Sequence, residues 1–246
     1  METWLFDLGN SRLKAARLDA GAPANPFAMA WEQPGFVAAL AERLQAWPAP
    51  ARVLVASVAG DARAKAFVAA WPHDSAARIE WVRSPREACG VRNRYAVPER
   101  LGIDRFLALV ALREASGGGV VVGCGTALTL DALARDGTHA AGMIASSPAR
   151  MLADLHGATA IADGNPDAFV AADADDTARA LHDGCWAAAG ALVEWFHARQ
   201  SGAPALWLHG GWAPELAAWL AHDGRDARLL DHAVLRGLAV WAARCP

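Results

Sequence analysis

No apolar run in this sequence approaches the ~18 residues needed for a membrane-spanning helix, so no membrane partner is expected. The N-terminus lacks a basic segment, and Asp7 interrupts its one apolar run, so no signal peptide is read. Basic blocks are missing too. With a net charge of −3, nucleic acid is not an expected partner. The four cysteines, Cys89, Cys124, Cys185 and Cys245, show no CxxC spacing. Neither a zinc site nor a disulfide framework is expected, and reduced thiols fit a cytoplasmic protein. GxxxxGK[ST] does not occur, which excludes a P-loop as the phosphate-binding device. Tyrosine occurs once against eleven tryptophans, which read as filler of a core or an interface.

What is present supports a sizeable core. The chain has 246 residues, 54% of them hydrophobic. That suffices for one large domain or two of about 120 residues each. Trp4 to Leu8 and Arg12 to Leu18 read as strands joined by Gly9-Asn10-Ser11, a hairpin turn in which Gly and Asn tolerate positive φ. Helical spacing covers Phe36 to Trp47, Asp61 to Trp71 and Gly102 to Glu114, with strands at Arg52 to Ser57 and Arg78 to Val82. Ser116-Gly117-Gly118-Gly119 is the clearest break in the chain. After it the opening pattern returns. Val120 to Val122 is a strand, Gly123-Cys124-Gly125-Thr126 a turn, and Ala127 to Ala132 a second strand. Helices are predicted at Pro148 to Leu155, Asp176 to about Gln200, Pro214 to Ala221 and His232 to Ala243, with a strand at Leu206 to His209. The expected class is α/β, with a duplicated unit and halves at 1–115 and 116–246.

Three glycine turns and one helix start carry the candidate chemistry. In the first turn, Gly9 lets backbone amides approach an anion, Asn10 and Ser11 add side-chain donors, and Lys14 supplies positive charge for phosphate. A bare carboxylate at Asp7 would repel a triphosphate. It makes sense with Mg²⁺ or its water shell between them; the alternative is an ordinary Asx-rich hairpin. Thr126, in Gly125-Thr126-Ala127, repeats the logic from the other side. Gly210-Gly211 after an apolar strand can let an adenine or ribose approach the backbone; the alternative is an ordinary strand-exit turn. In the stretch NRYAVPERLGIDR, Asn93 to Arg105, Asp104 at a helix start can accept a proton from a substrate hydroxyl. Arg105 can bind a carboxylate bidentately. The plain reading of Asp104 is a favourable charge at a helix N-terminus.

These motifs, in this order, resemble those of type III pantothenate kinases: DxGNSxxK, NxYxxPxxLGxDR, GTAxTxD, a threonine ahead of a Gly-bearing helix, and GG. The resemblance spans the chain. It implies the actin-like ATPase (ASKHA) fold, two ribonuclease H-like halves with a nucleotide cleft between them. It also implies a homodimer, and ATP-dependent phosphorylation of pantothenate in the first step of coenzyme A synthesis. Carried over, Asp7, Leu8, Gly9, Asn10, Ser11, Arg12, Leu13 and Lys14 form the first phosphate-binding hairpin, with Mg²⁺ near Asp7. Thr126 is the second ATP-phosphate contact, and Gly210 and Gly211 lie near the adenosine. Tyr95, Gly102, Ile103, Asp104 and Arg105 face pantothenate, with Asp104 as proton acceptor, and Thr177 matches the family threonine that reaches pantothenate from the same subunit or, often, from the partner.

The chain departs from the family pattern twice. The family often has an aspartate two residues before the GTA glycine, where it binds K⁺ or NH₄⁺; here that residue is Gly123. The family's usual Pro-Gly before the next helix is Ser146-Ser147. Two other functions stay open on the sequence: a kinase of the same fold for another small hydroxylated substrate, and a regulatory accessory protein descended from the enzyme.

Overall fold

The computed structural model describes residues 2–71, 79–159, 176–202, 204–222 and 224–245. His73 and Arg78, the first residue of a predicted strand, lie outside the described residues. The chain divides into two compact units, Met1–Ala115 with His232–Pro246, and Ser116–Asp231.

The first unit is built on β1 (Thr3–Leu8), TWLFDL, buried at every position. A strand covered on both faces reads as a continuous apolar run, and β1 does so apart from Thr3 and Asp7. It pairs antiparallel with β2 (Arg12–Asp19), which pairs antiparallel with β3 (Ala22–Ala30). On its other side β4 (Arg52–Ser57) and then β5 (Ile79–Val82) run parallel. The sheet order is β3-β2-β1-β4-β5. On α1 (Phe36–Gln45), the buried residues Phe36, Leu40 and Leu44 recur every four positions and face the core. α2 (Asp61–Ala69) buries only Phe67. Trp4, Phe6, Trp47, Phe67 and Trp71 pack edge-on or tilted, with centroids 4.9–6.4 Å apart in the contacting pairs. Each large side chain fully buried here contributes about 1.5–3 kcal/mol. A small hairpin of β6 (Glu87–Ala88) and β7 (Val91–Arg92) leads to α3 (Ile103–Ser116), which is buried from Ile103 to Leu112 apart from Asp104.

The second unit repeats the plan. β8 (Gly119–Cys124) is buried throughout and pairs antiparallel with β9 (Ala127–Leu133), which pairs antiparallel with β10 (His139–Ser146). β11 (Leu206–His209) and β12 (Arg228–Leu229) extend the sheet in parallel, giving the order β10-β9-β8-β11-β12. β8 therefore holds the place of β1, with the same neighbours in the same directions. α4 (Pro148–Ala158), α5 (Thr177–Ala198) and α6 (Ala213–His222) complete this unit. On α5, Trp186, Ala189, Val193 and Phe196 join the core while Trp195 is exposed, so the apolar helix is chiefly a core element.

Several expectations need correction. Residues 232–246 are expected in the second half. Their helix α7 (Ala233–Arg244) belongs to the first unit, where Gly237 lies against the backbone carbonyl of Leu107, an approach that a Cβ would block. β3 and β10 are strands the sequence reading does not contain. Both are edge strands, and an edge tolerates Pro23 and Pro26 in β3 because an outward backbone needs no donor. Neither Gly9 nor Asn10 has positive φ, so the first hairpin turns without a left-handed residue.

Candidate functional site

In the first unit, the antiparallel register sets Lys14 opposite Asp7, and directly opposed residues project from the same face. Lys14 Nζ lies 3.2 Å from Asp7 Oδ2. Asp7 is buried and Lys14 half-exposed. The carboxylate is therefore not bare, since a lysine already answers it. Between the two, the Gly9 N–H donates to the Arg12 carbonyl at 3.1 Å, closing a tight turn that leaves Asn10, Ser11 and Arg12 at the surface. Leu8 and Leu13 are core residues, so only their backbone borders the turn. Trp31 fixes the hairpin from outside: its Nε1–H donates to the Gly9 carbonyl at 2.8 Å, and its N–H to the Ser11 carbonyl at 3.3 Å.

The start of α3 lies beside the ends of β1 and β4. The N–H groups of Val58 and Ala59 both donate to the Leu8 carbonyl, at 3.1 and 3.2 Å. The space beside Gly102 is bounded by Val58 and by the carboxylate of Asp104. Asp104 Oδ1 accepts from the Arg105 N–H at 2.9 Å. At this helix N-terminus both the exposed N–H groups and the dipole favour a carboxylate. Ile103 is buried. Arg105 is also buried, and its Nη1 donates to the Tyr95 hydroxyl at 3.1 Å. The only tyrosine of the chain thus orients the arginine assigned to a substrate carboxylate.

The loop carrying Tyr95 is held by two residues outside the candidate set, Arg86 and Asn93. Arg86 donates to the carbonyls of Asn93, Tyr95 and Ala96 at 3.0, 2.7 and 2.9 Å. Asn93 is buried and, besides accepting from Arg86, makes four more bonds. Its Nδ2 donates to the Pro85 and Pro98 carbonyls, its Oδ1 accepts from the Tyr95 N–H, and its own N–H donates to the Arg86 carbonyl. Asn93 stands first in the quoted motif, which was a usable signal. Arg86 had no local signal, because its role depends on the loop folding back.

In the second unit, the turn proper is Gly125-Thr126, since Gly123 and Cys124 lie in β8. The Gly125 N–H donates to the Ala127 carbonyl at 3.0 Å, and Thr126 is exposed. The Ser147 hydroxyl donates to the Thr126 carbonyl at 3.1 Å, and the same oxygen accepts from the Arg150 N–H at 3.3 Å as the N-cap of α4. The serine in the family's glycine position therefore ties helix to turn. Gly210 has a φ of 105° and packs against the Cys124 backbone. Only glycine fits there, since a Cβ would be strained and obstructed. The Trp212 N–H donates to the Cys124 carbonyl at 3.0 Å. Thr126, Gly210 and Gly211 thus belong to one cluster around Cys124. Thr177 is elsewhere in this unit, exposed in the first turn of α5, which Asp176 caps by accepting from the Arg179 N–H at 2.8 Å.

Among the described residues, no group of three or more His, Cys, Asp or Glu could hold a metal ion. A single buried carboxylate still suits Mg²⁺ at a nucleotide site, because that ion keeps several waters and takes phosphate oxygens as ligands.

The family model of type III pantothenate kinase matches residues 4–199. The type III pantothenate kinase of Xanthomonas euvesicatoria pv. vesicatoria (strain 85-10) is 42% identical over 249 residues, covering 98% of each chain. That of Stenotrophomonas maltophilia (strain K279a) is 40% identical over 254 residues, covering 100% of this chain and 99% of the relative. Among solved structures, the activator of the 2-hydroxyisocaproyl-CoA dehydratase from Clostridium difficile, with bound ADPNP, aligns with a TM-score of 0.57 at 12% identity, over 98% of this chain and 92% of that one. The fold is the actin-like ATPase (ASKHA) fold of two ribonuclease H-like halves, in keeping with the repeated sheet order.

Proposed function

The chain belongs to the type III pantothenate kinase family, and from that premise we propose that it transfers the γ-phosphoryl group of ATP to the hydroxyl of pantothenate, with Asp104 accepting the proton. The observation that carries this reading is the start of α3. There a half-exposed carboxylate is fixed at the helix N-terminus beside the strand ends that lead into the Asp7–Lys14 hairpin. Arg105, oriented by Tyr95, takes the pantothenate carboxylate. Thr177, Gly102 and Ile103 complete the substrate contacts assigned by the family motif.

The phosphates of ATP are assigned to the Asp7–Lys14 hairpin and to Thr126, and the adenosine to the backbone at Gly210 and Gly211. Lys14 offsets charge on the transferred group. Mg²⁺, when bound, would neutralise phosphate charge, with Asp7 holding it through water. The transferred group is loosely bonded at the transition state, so positioning and charge matter more than the strength of the base. Asp104 orients the attacking oxygen, then takes its proton as the bond to phosphorus forms and the bond from phosphorus to the departing ADP oxygen breaks.

The proposed assembly is a homodimer, for which the edge strand β10, with Met143 and Ile144 exposed, offers a surface. The proposed location is the cytoplasm, in keeping with four free thiols, two of which (Cys89 and Cys245) share an S–H···S hydrogen bond at 3.7 Å rather than a disulfide. The deciding experiment incubates the purified chain with ATP, MgCl₂ and pantothenate, and follows ADP and 4′-phosphopantothenate. Equal formation of both products is expected. ATP turnover without phosphopantothenate, or no turnover, rejects the reading.

A further inference from the structure

The row of residues across the second sheet at Gly123 does not fit the monovalent cation that the family resemblance implies. Gly123 of β8 stands opposite Thr129 of β9 on one side and opposite His209 of β11 on the other. Cross-strand neighbours project from one face, so three adjacent strands present threonine, glycine and histidine side by side. The glycine contributes no side chain, and its two neighbours close over it. A Cβ at position 123 would lie 2.6 Å from Thr129 Oγ1, 2.9 Å from His209 Nε2 and 3.2 Å from His209 Cε1. The first two are distances that real Cβ contacts essentially never show, so the threonine and histidine side chains would have to shift. An aspartate here could not enter without displacing the imidazole. The side chains present supply one hydroxyl oxygen and one ring nitrogen and no carboxylate, so no negative charge on this row answers a cation.

We infer that His209 occupies the place of the family's cation-binding carboxylate, making this kinase indifferent to K⁺. The location gives the substitution a function. His209 ends β11 immediately before Gly210, and Gly123 precedes Cys124, whose backbone Gly210 touches and whose carbonyl accepts from the Trp212 N–H. The imidazole therefore lies directly behind the cluster that joins the Thr126 turn to the two glycines. Where a bound ion would support that cluster, a covalently attached ring now does so, acting as a positioning residue.

The catalytic consequence rests on the proposed kinase reading, while the structural one does not, and two measurements keep them apart. First, turnover of ATP and pantothenate is compared in potassium, ammonium and sodium chloride at equal ionic strength, alongside thermal unfolding in the same salts. Rates equal within about twofold, and melting temperatures that do not distinguish K⁺ from Na⁺, are expected, because an ion that binds only the folded state would raise the melting temperature. Specific stimulation by K⁺, or a K⁺-specific rise in melting temperature, overturns the inference. If no salt supports turnover, the kinase reading fails and the unfolding comparison still decides the cation question. Second, Gly123→Asp is made alone and with His209→Ala. The aspartate is expected to lower the melting temperature strongly beside histidine and much less beside alanine, the coupling that neighbours in contact show. An equal loss in both backgrounds means that His209 does not fill this space.

Discussion

Gly102 and Asp104 compete for one space: a Cβ on Gly102 would lie 2.6 Å from Asp104 Oδ1. The glycine is there so that the carboxylate can settle at the first turn of α3. Asp104→Asn retains an oxygen to accept the Arg105 N–H, and so keeps the fold. It removes the proposed proton acceptor, and kcat is expected to fall about 10²-fold or more with the melting temperature almost unchanged. Gly102→Ala should also depress kcat, by pushing the carboxylate from its seat. Wild-type turnover in Asp104→Asn rejects the assignment of the base, and wild-type turnover in Gly102→Ala rejects the role of the shared space.

Lys14 and Asp7 form an ion pair of 3.2 Å in which the carboxylate is buried and the amine half-exposed. Lys14→Ala removes the positive charge assigned to the phosphates and the partner of a buried anion. KM for ATP is expected to rise about tenfold or more, with KM for pantothenate little changed, since losing one hydrogen bond to a charged group costs roughly 1.5–3 kcal/mol. Steady-state kinetics with each substrate varied in turn separate the two. Unchanged ATP kinetics would exclude Lys14 from the nucleotide site.

Much of the fold was legible because its signals are local. β1 and β8 announce themselves as short apolar runs ending in glycine turns, and the recurrence of that pattern after Ser116 foretold the duplicated sheet. What escaped depends on tertiary context. β3 carries prolines that argue against a strand unless it lies at an edge, and an edge is not a property of the segment itself. α7 looked like the last helix of the second half. Its packing of Gly237 on Leu107 brings together residues far apart in sequence. Among the candidate site residues, Asp104, Arg105 and Tyr95 stand in one motif, but the bond from Arg105 to Tyr95 and the grip of Arg86 on three carbonyls needed the loop to be folded. The pairing of His209 with Gly123 is likewise a matter of strand register between β8 and β11.

Burial pushes the Cys124 thiol up to about 12 from its ordinary 9.0, with the charge of Glu215 adding to the effect. The unfolded chain loses this proton near its ordinary value, while the folded chain holds it to the higher one. Between about pH 9 and about pH 12 the unfolded state binds fewer protons, so stability falls as pH rises. The loss is about 1.4 kcal/mol per pH unit for one such thiol. Below pH 9 the thiol adds no pH dependence. Denaturant unfolding of the wild type and of Cys124→Ala across this range should show the two stabilities drawing together as pH rises. A constant gap between them rules out the buried thiol as a cause of alkaline loss.

Ser147 is fully buried and serves two partners with one hydroxyl, capping α4 through the Arg150 N–H and donating to the Thr126 carbonyl. Two substitutions separate these roles. Ser147→Ala removes the cap and is expected to cost about 0.5–2 kcal/mol of stability, whereas Ser147→Gly should cost only a few tenths of a kcal/mol through the cap, because glycine is itself tolerated there. Both remove the bond to Thr126 alike, so KM for ATP should rise to a similar extent in both variants if that turn holds phosphate. Unfolding curves read the first effect and ATP-dependent kinetics the second. Should KM track stability instead, high in the alanine variant and normal in the glycine one, the link from α4 to the Thr126 turn has no part in nucleotide binding. Should neither variant change KM, the turn itself loses its assignment to the phosphates, leaving the Asp7–Lys14 hairpin as the remaining phosphate site.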